Sequence, residues 1–206
     1  MKTAIDLGTS DTKIYTLGAG IVLNEPSVVA LDTAGGRVKA IGLEAKKLIG
    51  KTAENTKTVF PVFEGEVVNE KLAARMLGGF LAKVGYRQSF SSEAMVAVPC
   101  GADTALLKKL ENTLEACGVD HAYLIETPVA AAIGSGIPLS EYSPCFVIDM
   151  GGGVTDIAAL SLDGIIAGVS VGLGGKNTDA ALIDFIADSC NLQIGLQTAE
   201  RVKVQI

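Results

Sequence analysis

The sequence predicts an α/β fold in which mixed sheets are flanked by helices. Three observations carry that prediction. The stretch AIDLGTSDTKI (Ala4–Ile14) returns as VIDMGGGVTDI (Val147–Ile157), a strand–helix–strand pattern lies between the two copies, and short β-branched runs parted by Gly and Asp gather around each copy. With 206 residues, 49% of them apolar, the chain is long enough to bury such a core.

Runs at Thr3–Ile5, Thr12–Leu17, Ile21–Leu23 and Ser27–Leu31, separated by Gly, Asn-Glu-Pro or Asp turns, read as an opening antiparallel meander. From Glu25 to about Glu66 the chain is richer in charge and turns and reads as an excursion from the larger sheet. A helix is expected over Asn69–Val84: Asn69 is the N-cap, Gly85 the stop, and Leu72, Met76, Leu77, Phe80, Leu81 and Val84 share one face. AMVAVP reads as a buried strand, Asp103 as the cap of a helix lined by Leu107, Leu110, Leu114 and Cys117, and AYLIE as the next strand. That β-α-β unit implies a right-handed parallel crossover. Pro128 opens a helix of small residues suited to close packing. CFVIDM, VTDIAALSL and GIIAGVSVG form a second meander. The closing TAERVKVQI starts a helix at about Thr198 with no stop signal, so the chain is expected to be a piece of a longer product.

Composition excludes several functions. Net charge is −6 with Lys and Arg dispersed, so there is no basic stripe to track a nucleic-acid backbone. Cys100, Cys117, Cys145 and Cys190 have no CxxC spacing and stand in apolar segments, which suits buried thiols in a reducing cytoplasm. The opening residues do not read as a signal peptide, and Asp149, Asp156 and Asp163 interrupt the longest apolar stretches too soon for a membrane span. His121, after a helix stop and without a second His, reads as a turn residue.

The two similar stretches hold one constant offset: Ile5 with Ile148, Asp6 with Asp149, Gly8 with Gly151, Thr12 with Thr155 and Ile14 with Ile157. Each reads as a hairpin, a strand carrying Asp near its end, then a Gly turn, then a second strand. Backbone N–H groups at such a turn can approach phosphate oxygens that a Cβ would keep away, and the carboxylate before it can hold a hydrated Mg²⁺. One such hairpin alone is more readily a structural turn. Two, with Asp at the same place in each, read as jaws on one polyphosphate.

These hairpins resemble the phosphate loops of the superfamily of actin, sugar kinases and heat-shock-chaperone ATPases. The blocks LNEPSVVALD, LIETPVAAAIGSGIP, VIDMGGGVTDIAALSLDGIIAGVSVGLGG and TAERVK, in that order, are similar to the MreB family, the bacterial actin homologues that determine rod shape. The resemblance implies an actin-like (ribonuclease H-like) fold, with a first lobe over 1–138, a small inserted subdomain at about 25–66, and the start of a second lobe over 139–206. It also implies ATP and Mg²⁺ in the cleft, polymerisation into filaments, and work in the cytoplasm under the inner membrane with cell-wall synthesis proteins. By position, Gly8, Thr9, Ser10 and Thr12 fall in the first phosphate loop and Gly151, Gly152 and Gly153 in the second. Asp6 and Asp149 fall where the magnesium waters are held, Gly174 and Gly175 in the turn beside the nucleotide, and Glu200 with Lys203 where the ribose is approached. Lys13, apolar in most of the family and lysine in actin, reads either as a phosphate contact or as a solvated strand residue.

The family pattern breaks in places. Where it carries a glutamate that positions the attacking water, this chain has Thr127, with Glu126 one residue earlier and so on the opposite face of an extended segment. Where the second loop usually ends in threonine there is Val154, which has no hydroxyl. Because proteins catalyse phosphoryl transfer mainly by positioning and electrostatics, these changes should slow hydrolysis more than they weaken binding. That keeps two readings open, a filament ATPase and a non-hydrolysing nucleotide-binding scaffold. A small-molecule kinase would need a general base and a complete second lobe. Lys176 stands where the family more often has an acid, and Phe90 is either a membrane-inserting loop residue or incidental.

Overall fold

β1 (Thr3–Leu7) and β2 (Asp11–Thr16) pair antiparallel, and each alternates inward and outward residues, so that Ile5, Leu7 and Ile14 face one core. β3 (Gly20–Pro26) extends this hairpin on the β2 side. The computed structural model describes residues 3–50, 55–86, 93–138, 143–161 and 164–206. Phe90, the candidate membrane contact, lies outside them.

The fourth expected strand leaves this sheet, which corrects the opening meander. Pro26 has no N–H with which to continue the ladder, Ser27 N–H turns back to the Ser10 carbonyl (2.9 Å), and Val28, Val29 and Ala30 are all buried, leaving no polar face. β4 (Val29–Asp32) instead joins β5 (Val38–Ile41) and β6 (Thr56–Val59) in a separate sheet of order β5-β4-β6. With α1 (Leu43–Lys46), this sheet closes its own small core of Val28, Ala30 and Ala45. A short hairpin, β7 (Val62–Phe63) and β8 (Glu66–Val67), returns the chain to the main body.

α2 (Glu70–Lys83) starts where expected because the Asn69 side chain accepts the Leu72 N–H (3.1 Å). β9 (Glu93–Val98), α3 (Thr104–Ala116) and β10 (His121–Glu126) form the expected β-α-β unit, with Asp103 accepting the Leu106 N–H (2.8 Å). The resulting sheet has order β10-β9-β1-β2-β3, with β9 and β10 parallel to β1 and the other pairs antiparallel. His121 opens β10 instead of sitting in a turn. α2 and α3 cover one face through Met76, Leu77, Phe80, Leu110 and Leu114. On the other face the register aligns Tyr123, Met95, Ala4, Tyr15 and Ile21 in one row across all five strands, and its large members are exposed.

α4 (Thr127–Gly134) carries Pro128 in its first turn and seats its alanines against the second meander, β11 (Cys145–Met150), β12 (Thr155–Ser161) and β13 (Gly164–Val171). Ala132, Val147, Ala158 and Leu160 are the centre of that contact. The sequence reading passed over the next helix, α5 (Gly175–Cys190), which pairs with α6 (Leu196–Gln205) through the Lys203–Asp179 ion pair (2.7 Å). The thiols are unpaired, as expected, but only Cys100 is fully buried. Cys190, at the end of α5, is exposed and corrects the expectation of a buried thiol.

Phe80, with 0% exposure at the centre of the main core, should be the costlier of two losses. Phe80→Ala is expected to lower unfolding free energy by about 3–5 kcal/mol, and Asp103→Ala by about 1 kcal/mol through loss of the cap. Urea titration measures both, and a Phe80→Ala loss no larger than that of Asp103→Ala would contradict this core.

Candidate functional site

The two hairpins share one cross-strand register. In β1–β2, Ile5 faces Ile14, Asp6 faces Lys13 and Leu7 faces Thr12; in β11–β12, Ile148 faces Ile157, Asp149 faces Asp156 and Met150 faces Thr155. The constant offset in sequence is therefore a repeated piece of structure. Both turns open on one cavity of ≈ 290 Å³, which Asp6, Lys13, Asp149 and Asp156 also line.

The turns meet each other at their glycines. A Cβ on Gly152 would lie 2.6 Å from the Ser10 Cβ, and one on Gly153 would lie 2.7 Å from the Thr9 Cγ2, so neither position admits a side chain without displacing the opposite loop. Gly8 is equally confined, with the Asp11 carbonyl oxygen 2.7 Å from where its Cβ would be. The first loop is held from two directions: Thr9 Oγ1 accepts the Gly65 N–H (3.0 Å), and the Thr9 carbonyl accepts from Lys176 Nζ (2.8 Å). The second is closed by Gly151 N–H to the Val154 carbonyl (2.8 Å). It is backed by the start of α5, where Gly175 N–H donates to the Gly151 carbonyl (3.0 Å) and Lys176 N–H to that of Gly152 (2.9 Å). Gly174 lies so close to the second loop that a Cβ would come 2.7 Å from the Gly151 oxygen. Gly174 and Gly175 thus brace the loop from behind.

Charge divides the hairpins. Lys13 Nζ pairs with Asp6 Oδ2 at 3.2 Å across the strands, so this lysine belongs to the cavity wall. At the matching place in the second hairpin stands another acid, Asp156, 1% exposed, with Oδ1 accepting the Cys100 N–H (3.0 Å). Burial pushes the Asp149 carboxyl above its usual range, and the nearby charges of Asp156 and Asp6 add to this while Lys13 opposes it. Such a carboxylate fits a cation that arrives with its own waters and phosphate ligands. Among the described residues, no group of three or more His, Cys, Asp or Glu could hold a metal ion.

The other expected residues are placed unevenly. Thr127 and Val154 line the cavity, and the Thr127 hydroxyl donates to the Val98 carbonyl (2.8 Å). Glu126 is not on that wall; its Oε1 accepts the Gly101 N–H (2.8 Å), the outcome expected from a one-residue shift. Thr12 is fully buried, its hydroxyl 2.9 Å from that of Ser27, and does not reach the cavity. Glu200 and Lys203 border a smaller cavity of ≈ 50 Å³ that shares Ser10 with the first. There Glu200 pairs with Lys46 (2.8 Å), while Lys203 binds Asp179 and the Gly175 carbonyl (2.9 Å). Lys176 stands over the Phe60 ring at 4.1 Å, and burial lowers its pKa against the opposing pull of Asp11, Glu200 and Asp179. Asp156, Asp11 and Gly65 were missed in the sequence. Of these only Asp156 had a signal there, its alignment with Lys13 inside the repeat.

The sequence profile of the family described as "MreB/Mbl protein" matches residues 1–206. The chain is 40% identical to the cell shape-determining protein MreB of Escherichia coli K12 over 210 residues, covering 98% of this chain and 60% of that protein. It is 37% identical over 203 residues to the cell shape-determining protein Mbl of Bacillus subtilis 168, covering 98% of this chain and 61% of Mbl. The crystal structure of MreB5 of Spiroplasma citri bound to ADP superposes with a TM-score of 0.90 at 29% identity, over 98% of this chain and 61% of MreB5. The chain thus spans about 60% of the length of the curated relatives it matches. Its mixed sheets and flanking helices have the actin-like architecture, and the chain belongs to the MreB/Mbl family.

Proposed function

We propose that this chain carries the phosphate-holding part of an MreB-type cytoskeletal protein. In this reading it binds ATP with Mg²⁺ between its two hairpins, assembles with further copies into filaments, and serves cell shape by guiding cell-wall synthesis at the cytoplasmic side of the inner membrane. The observation that carries the proposal is the shared register of the hairpins, which puts Asp6 and Asp149 into one cavity with two glycine turns in contact. Similarity to an MreB5 that binds ADP and to an MreB named for determining cell shape supports it. In the same proposal residues 1–138 form a first lobe, with about 25–66 inserted, and 139–206 begin a second. No described helix is long and apolar enough to cross a membrane.

Within the cavity the chain's own groups have separable tasks. Gly8–Ser10 and Gly151–Gly153 bring backbone close to the phosphates, and Lys13, held by Asp6, presents a cation to the same space. Asp6 and Asp149 would hold Mg²⁺ through its waters, and the ion would neutralise charge on the phosphates. Glu200 and Lys203 would approach the ribose from their pairs with Lys46 and Asp179. A second reading, a nucleotide-held scaffold with slow turnover, is favoured by two side chains. The Thr127 hydroxyl is committed to the Val98 carbonyl, and Val154 offers none.

Asp149→Asn separates binding from stability. The acid's raised pKa means that folding disfavours its charged form, so wherever Asp149 is ionised it costs stability that a neutral isostere recovers, and that cost grows as pH rises. The variant should melt on the order of 2 °C higher without nucleotide while its calorimetric affinity for MgATP falls at least about tenfold. Undiminished MgATP affinity would remove Asp149 from the site. Thr127→Glu combined with Val154→Thr should raise phosphate release at least about tenfold at saturating MgATP. Unchanged release with binding intact would show that water positioning is not what limits turnover.

A further inference from the structure

Asp156 ties the three-stranded sheet to the five-stranded one by a hydrogen bond. It lies on β12 in the three-stranded sheet, directly across from Asp149, and its Oδ1 accepts the N–H of Cys100, in the turn that follows β9 of the five-stranded sheet. The same turn is tied twice more. Gly101 N–H donates to Glu126, the last residue of β10, and Thr127, the first residue of α4, donates to the Val98 carbonyl. α4 in turn packs on β11 and β12. The hydrogen bonds and this packing make a closed circuit around the place where the chain passes from one sheet to the other. The Cys100 side chain is seated in it, with its Sγ against Gly168 of β13, where a Cβ would collide with it.

We propose that Asp156 is a positioning residue: its carboxylate, by holding the Cys100 N–H, couples the second phosphate loop to the junction between the two sheets, so that a nucleotide gripped by both loops also locks that junction. A ligand shifts an equilibrium only by binding one state better than the other. Here the favoured state is the one in which both loops and the Asp156–Cys100 bond are in place together. The proposal takes its ligand from the nucleotide reading above. The bond is made by the chain's own groups, so the two can fail separately.

Cys100 reports on the junction, since it is buried only while the turn stays docked. The test is iodoacetamide labelling of Cys100 in the full chain, followed peptide by peptide in the mass spectrometer, with exposed Cys190 as internal reference. Asp156→Ala should speed Cys100 labelling at least about tenfold, as expected for loss of a buried hydrogen bond, whereas Asp156→Asn, which loses the same charge beside the thiol but keeps an acceptor oxygen, should label at least about threefold more slowly than Asp156→Ala. MgATP should slow labelling in the unaltered chain and in Asp156→Asn but not in Asp156→Ala. Labelling of Asp156→Ala at the unaltered rate, or of Asp156→Asn as fast as Asp156→Ala, would overturn the coupling. If calorimetry finds no MgATP binding to the unaltered chain, the nucleotide reading falls and the nucleotide-free rates still decide the role of Asp156. If Asp156→Ala does not fold, hydrogen exchange at the Cys100 amide of the unaltered chain decides: protection supports the bond, and free exchange overturns it.

Discussion

Two backbone turns touch in this molecule because neither carries a side chain where they meet. Gly152 and Gly153 lie against Ser10 and Thr9 at distances that no Cβ could occupy, and much of the site follows from that contact. It brings the five-stranded and three-stranded sheets together at their hairpin turns and directs Asp6 and Asp149 into one cavity. It also sets the positions that other segments must brace, Gly65 and Lys176 on the first loop and the start of α5 on the second. A glycine turn has little stiffness of its own, so the bracing hydrogen bonds supply the preorganisation that an anion site needs.

The hairpins share a register but not a charge pattern. Asp6 has a lysine across from it and Asp149 has an acid, so the first hairpin is locally balanced and the second is not. Burial first, and this imbalance after it, raise the pKa of Asp149, and a divalent cation would relieve the charge imbalance. In the proposed site, stability and binding would therefore pull in opposite directions at this residue.

Much of this was legible in the sequence where local chemistry sets the outcome. Asn69 and Asp103 are caps in the structure because a side-chain acceptor beside an apolar-periodic run leaves little alternative. The constant offset made it legible that the two hairpins are alike, while the pairing within them, Asp6 with Lys13 and Asp149 with Asp156, was not. β4 was misplaced because its change of sheet depends on Pro26 and on a turn back to Ser10, a contact distant in sequence. Glu200 and Lys203 share a helix face as expected, yet their partners, Lys46 and Asp179, come from separate elements that no spacing rule connects. Thr12 lies in a strand as its pattern suggested, but the resemblance put it in the first phosphate loop, and it is instead buried with its hydroxyl on that of Ser27. Asp156 was visible as the counterpart of Lys13, but its bond to the Cys100 amide exists only once the two sheets have met.

The central claim, that both turns grip one ligand, is tested most directly by hydrogen exchange on the chain with and without MgATP, resolved to peptides covering 8–11 and 151–154. Both segments should gain protection together and over the same range of nucleotide concentration. Protection of one segment while the other exchanges as before would contradict a shared polyphosphate site.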